Sequence, residues 1–246
     1  MAIGNELLSG KTRDANMYYL ASELRALGVA LTLTLFVRDE TQEIVDAIHY
    51  ARSRAEVVLT TGGVGPTHDD ITLGAVARAF DTDLVRNPRI AEAIHAHYGD
   101  DVNDDLLSMA DVPRGAELIQ PAPFFLPIFR MENVFVFPGD PGALQLLFEG
   151  WKETLRRTPY SLARFELDAD EGQVAPLLRS VQDDRPELQL GSYPRFDAQA
   201  PYRVLVTVEG KDPAQVSAAA EHLEQRFLEE LGAAALLRTV LPDGKP

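Results

Sequence analysis

The run Thr61-Gly62-Gly63-Val64-Gly65-Pro66-Thr67-His68-Asp69-Asp70 sets three glycines and a proline directly ahead of two adjacent aspartates. Glycine has no Cβ, so its backbone N–H groups can approach an anion, and a helix that follows adds partial positive charge at its N-terminus. Such a loop suits a phosphate. Two carboxylates would repel that phosphate unless a divalent cation lay between them, and oxygen-only ligation of Mg²⁺ or Mn²⁺ needs groups of this kind. The metal would polarise a phosphoryl oxygen and activate a water. The competing structural reading is that Asp69 or Asp70 caps the next helix. No Gly-Lys-Ser/Thr follows, so the loop is not a P-loop, and it lacks the dinucleotide-binding glycine fingerprint. His68 is the only imidazole in the loop, and reads either as a proton-transfer group or as an exposed surface histidine. Asp14 and Asp39 stand at two further junctions that lead into helices, with the same capping alternative.

These side chains need elements to hold them. Met17, Leu20, Ala21, Leu24 and Leu27 form an apolar stripe for a helix that Asp14 can cap and Gly28 can stop. Residues 29–37 read as a strand, 41–54 as a helix, and 56–61 as a short buried strand ending in the glycine loop. Helices are expected over 71–80, 88–99, 103–113 and 141–157, with a strand at 133–138. This alternation predicts a doubly wound, mostly parallel α/β sheet, in which the loops carrying Asp39 and residues 61–70 leave the same edge. The chain opens with Met-Ala-Ile-Gly-Asn-Glu, as if just after a first strand, so a strand of about five to seven residues is expected to be missing. From residue 161 the rhythm becomes βαββαβ, the split βαβ of a ferredoxin-like α+β domain. The expected division is therefore 1–157 and 161–246.

Composition narrows the chemistry further. The 246 residues carry no cysteine, which excludes disulfides, thiolate metal sites and cysteine nucleophiles, and fits a cytoplasmic protein. A formal charge of −15 argues against binding nucleic acid or an anionic membrane, both of which need basic patches. No apolar run reaches the roughly 18 residues of a membrane span. A phosphate-bearing small molecule remains open, given help from backbone amides, an arginine or a metal.

Taken in order, "IGNELLSGKTRDAN", "VRDE", "TTGGVGPTHDDIT", "FPGDP" and "GSYPRF" resemble the molybdopterin-binding-like fold of MoaB and MogA. More closely they resemble the N-terminal module of competence/damage-inducible protein A (CinA). The segment before "FPGDP" is similar to the FAD-hydrolysing module of eukaryotic FAD synthases. The resemblance implies hydrolysis of a nucleotide pyrophosphate such as FAD or ADP-ribose, with a divalent metal (Mg²⁺, Mn²⁺ or Co²⁺) and K⁺ as an accessory. It implies Asp39 and Asp70 as catalytic, Asp39, Asp69 and Asp70 as metal ligands, and Thr61, Gly62, Gly63, Gly65, Gly139, Asp14 and Glu6 as substrate contacts. Asp140 departs from the family pattern, where that position is apolar. A homo-oligomer, dimer or trimer, is implied as well. Two other readings stay open: binding or adenylation of molybdopterin, and a catalytically silent nucleotide-binding partner.

Overall fold

A computed structural model of the chain describes residues 1–197 and 199–242. Two compact units divide it, Met1–Arg156 and the part from Arg157 onward. Among the described residues, no helix is long and apolar enough to cross a membrane.

In the first unit, β1 (Ala2–Ile3), α1 (Asn5–Leu8), α2 (Asn16–Ala26), β2 (Phe36–Val37), α3 (Thr41–Arg52), β3 (Val58–Thr61) and α4 (Thr72–Ala79) follow in order. Next come β4 (Leu84–Arg86), α5 (Pro88–Tyr98), α6 (Asp104–Ser108), β5 (Asp111–Pro113), β6 (Glu117–Ile119), β7 (Ile128–Met131), β8 (Val134–Phe137) and α7 (Pro141–Trp151). The main sheet runs β2-β1-β3-β8-β7-β6. Strands β1, β2, β3 and β8 are mutually parallel, while β7 and β6 add an antiparallel flank.

Strand β8 shows why the sheet is buried on both faces. Side chains alternate along a strand, so Val134 and Val136 join one core with Ile48, Val76 and Ile94. Phe135 and Phe137 join the other, with Leu144, Phe148 and Trp151. All four strand residues are buried, each large side chain contributing about 1.5–3 kcal/mol.

The first strand is short: Ala2 and Ile3 pair with Phe36 and Val37 on one side, and Ala2 alone pairs with Thr61 on the other. Two expectations need correction. The strand expected over 29–37 is confined to Phe36–Val37, because a ladder extends only as far as its partner and β1 supplies two residues. The helix expected over 103–113 ends at Ser108, and Asp111–Pro113 instead pairs antiparallel with Leu84–Arg86.

The second unit is β9 (Ser161–Leu167), α8 (Glu171–Asp184), β10 (Gln189–Pro194), β11 (Val204–Gly210), α9 (Pro213–Glu230) and β12 (Leu236–Val240). Its strands order β10-β11-β9-β12, all antiparallel. Phe165, Val206, Leu223 and Phe227 are fully buried between sheet and helices. The βαββαβ reading holds.

Candidate functional site

Because β1, β2, β3 and β8 run parallel, their carboxyl ends share one edge of the sheet, the edge at which ligands sit in open α/β folds. Four segments meet there: the residues after Ile3, after Val37, after Thr61 and after Phe137. The glycine loop is the most tightly fitted of them. Gly62 has φ +103, and a Cβ on it would lie 2.2 Å from the Ile3 carbonyl oxygen. Its N–H donates to Phe137 O at 3.3 Å, which ties β3 to β8 at the turn. A Cβ on Gly139 would come within 3.1 Å of Gly62 Cα, so these two backbones abut.

Thr61 is 3% exposed. Its hydroxyl donates to Pro138 O at 2.8 Å and accepts from Asn16 Nδ2 at 3.0 Å. The same Asn16 nitrogen donates to Gly139 O at 2.8 Å. Thr61, expected as a ligand contact, therefore spends its side chain on the frame. On the opposite side of the turn, Thr72 donates its hydroxyl to Gly62 O and its N–H to Gly63 O, both at 2.9 Å.

Asp69 and Asp70 do not cap α4. Its N-cap is Ile71, whose side chain accepts no bond from the helix. Both carboxylates turn back instead onto Thr67, whose hydroxyl lies 2.5 Å from Asp69 Oδ1 and 2.5 Å from Asp70 Oδ2. Asp70 Oδ2 also accepts the Thr67 N–H at 2.8 Å. The Thr67 hydroxyl holds the Asp69 carboxyl below the usual carboxylate range. His68 is almost fully exposed, with Nδ1 3.9 Å from Asp69 Oδ1. Asp70 leans over the loop: a Cβ on Gly65 would lie 2.6 Å from its Oδ2.

Asp39 accepts the Asn5 N–H at 2.7 Å and so closes the start of α1. Glu6 folds over Gly4, where a Cβ would meet its carboxylate oxygen at 2.3 Å. Asp14 accepts the Met17 N–H at 3.1 Å, the capping alternative for α2. Asp140 caps α7 through Ala143 N–H at 2.8 Å, which accounts for its departure from an apolar residue.

A cleft of about 410 Å³ opens beside the loop. Gly63, Gly65 and Asp70 line it together with the apolar side chains of Ile71, Leu84 and Met109. At its rim Asp111 is held by the Arg86 guanidinium through two bonds, Nε–Oδ1 at 2.5 Å and a second nitrogen to Oδ2 at 2.9 Å. The volume lies in the range of small-molecule sites.

Residues 1–157 match the family described as "Probable molybdopterin binding domain", and residues 159–234 match "FAD synthase, middle domain". The chain belongs to this molybdopterin-binding-domain family, as a CinA-like module. A protein of Archaeoglobus fulgidus is 30% identical over 225 residues, covering 92% of this chain and 95% of that one. A CinA-like protein of Syntrophus aciditrophicus is 31% identical over 94% of this chain, which spans 58% of that longer protein. The crystal structure of CinA from Thermoplasma acidophilum is 27% identical, with a TM-score of 0.58, over 63% of this chain and 94% of that chain.

The expected metal set does not assemble as a cage. Among the described residues, no three His, Asp or Glu side chains converge where they could hold an ion. Asp39 follows β2, which β1 separates from β3, so its strand end stands about 10 Å from that of Asp69 and Asp70. Asp69 and Asp70 do fit Mg²⁺ in its commoner mode, in which one or two carboxylates share the ion with substrate phosphates and water. Each keeps one carboxylate oxygen clear of Thr67. Two framing residues, Asn16 and Thr72, were not among the sequence candidates. Both close a motif quoted above, "IGNELLSGKTRDAN" and "TTGGVGPTHDDIT", but their bonds cross 45, 123 and 10 residues, so their position in the motif was the only signal.

Proposed function

We propose that the first unit hydrolyses the anhydride of a nucleotide pyrophosphate, FAD or ADP-ribose, giving AMP with FMN or ribose 5-phosphate. One observation carries this reading: Asp70 leans over Gly65 in a cleft lined by the glycine loop and by the apolar side chains of Ile71, Leu84 and Met109. The backbone suits the pyrophosphate, the apolar side chains suit a ring, and the carboxylate suits a cation shared with phosphate. Among the described residues, the first turn of α4 adds open N–H donors at Leu73 and Gly74, since Thr72 and Ala75 give theirs to Gly63 and Ile71. The match of residues 159–234 to the FAD synthase middle domain supports a flavin nucleotide as substrate.

Asp70, with Asp69 beside it, would hold a divalent ion, which supplies Lewis-acid polarisation of a phosphoryl oxygen. The chain's own part is to bind and orient. The glycine loop fixes the pyrophosphate, and Thr67 fixes the carboxylates through its N–H and hydroxyl. Asp39 and Glu6 organise the segment after β1 rather than joining the ion.

The test is product chromatography with FAD and ADP-ribose, each with Mg²⁺, Mn²⁺ or Co²⁺ and with EDTA. AMP formed only with metal supports the reading; intact substrate in every arm overturns it. The family description supports a second reading, binding of molybdopterin. A co-purifying pterin, detected by the fluorescence of its oxidised form, would support that instead.

A further inference from the structure

We infer that Asn16 is a positioning residue for the glycine turn, setting the geometry of the phosphate-binding backbone without touching the ligand. The inference rests on the site reading above for its catalytic consequence, but its structural part does not.

Asn16 opens α2 and is 7% exposed. Its side-chain nitrogen donates to Thr61 Oγ1 at the end of β3 and to Gly139 O after β8. A backbone carbonyl can only accept, so the contact with Gly139 fixes which end of the amide faces the two loops. Thr61 then passes a bond on to Pro138 O at 2.8 Å. One side chain thus ties together the two strand ends between which Gly62 is wedged, with Ile3 O behind it and Gly139 alongside. Thr72 holds the same turn from the other side.

The other amide atom, Asn16 Oδ1, is buried without a partner. A buried polar atom left unpaired costs about 1–3 kcal/mol. An ordinary core residue would avoid that cost. What the amide supplies and an apolar side chain cannot is two donors aimed at two different loops. Because a misplacement of about 1 Å at a reacting centre can lower turnover on the order of 100-fold, a relaxed Gly62–Gly63 backbone should appear in kcat more than in KM.

The experiment compares Asn16→Ala and Asn16→Asp with the unaltered full chain, well below their melting temperatures. Asn16→Asp keeps the shape but replaces the donor with an acceptor facing Thr61 and Gly139. Amide NMR of Gly62, Gly63 and Gly139 is read without ligand; kcat and KM are read with ADP-ribose and Mg²⁺. The inference expects displaced glycine amides in both variants, with β9–β12 amides unmoved. It also expects kcat lower by about tenfold or more, KM within about threefold, and Asp no better than Ala. Glycine amides at their original positions in Asn16→Ala would overturn it, as would a full kcat despite a lowered melting temperature. Failure of the pyrophosphatase reading looks different: no product from the unaltered chain, with the glycine amides still deciding the role of Asn16.

Discussion

The Thr72 hydroxyl donates to the Gly62 carbonyl at 2.9 Å, so the helix that follows the glycine loop also closes the turn that begins it. Thr72 is fully buried, and a Cβ on Gly63 would lie 2.3 Å from its Oγ1. The loop is held by its own downstream helix. Thr72→Val keeps the volume but strips the buried Gly62 carbonyl of this donor, at a cost of about 1–3 kcal/mol. Thr72→Ser should retain most of the stability. Denaturant unfolding of the two variants checks this, and a loss in Thr72→Ser with none in Thr72→Val would show that the methyl group matters, not the hydroxyl.

Asp70→Asn tests the proposed chemistry. Its amide oxygen can still accept from Thr67, so the melting temperature should hold while turnover falls on the order of 100-fold, the scale of losing one electrostatic group in a site. Steady-state rates alongside a thermal melt separate the two. Native turnover in this variant would remove Asp70 from the mechanism.

The Thr67 hydroxyl is the leading cause of the low Asp69 pKa, followed by the local backbone bond. A depressed carboxylate contributes stability above its unfolded pKa and loses it as pH falls through its folded pKa. Here the contribution is present at neutral pH and disappears only in acid. Thr67→Val should raise the Asp69 pKa toward its ordinary value, followed by carboxyl-carbon NMR titration. An unmoved titration would leave the backbone as the cause.

Asp140→Ala removes the cap of α7 and should cost about 0.5–2 kcal/mol. Affinity for ADP-ribose, measured by calorimetry, should be unchanged, because Asp140 serves the start of α7 and is not among the residues that line the cleft. A large loss of affinity would place Asp140 among the ligand contacts after all.

Much of this was legible from the chain alone. The buried run at Val58–Thr61 and the amphipathic helices announce themselves by local periodicity, and the order βαββαβ followed from six short patterns. What escaped was set by partners distant in sequence. Residues 29–35 have strand composition, yet a strand exists only where β1 reaches it. Asp111–Pro113 looked like the tail of a helix until Leu84–Arg86, some 27 residues earlier, paired with it. The site shows the same split. The glycines and aspartates of the loop are recognisable by type and spacing. Asn16 and Thr72 acquire meaning only when β3, β8 and α4 are brought together. Asp14 and Asp39 stood at helix junctions as expected, and each spends its carboxylate on a backbone N–H.

The cleft lining offers Asp70, and Asp111 with its charge offset by Arg86, but no lysine, arginine or histidine of its own, on a chain of net charge −15. A free anion drifting toward such a mouth meets repulsion over roughly a Debye length, about 8–10 Å at physiological salt. Encounter kinetics should therefore run opposite to those of a basic phosphate-binding site. Added monovalent salt should speed capture of the bare nucleotide, and a nucleotide arriving already complexed with its cation should gain far less.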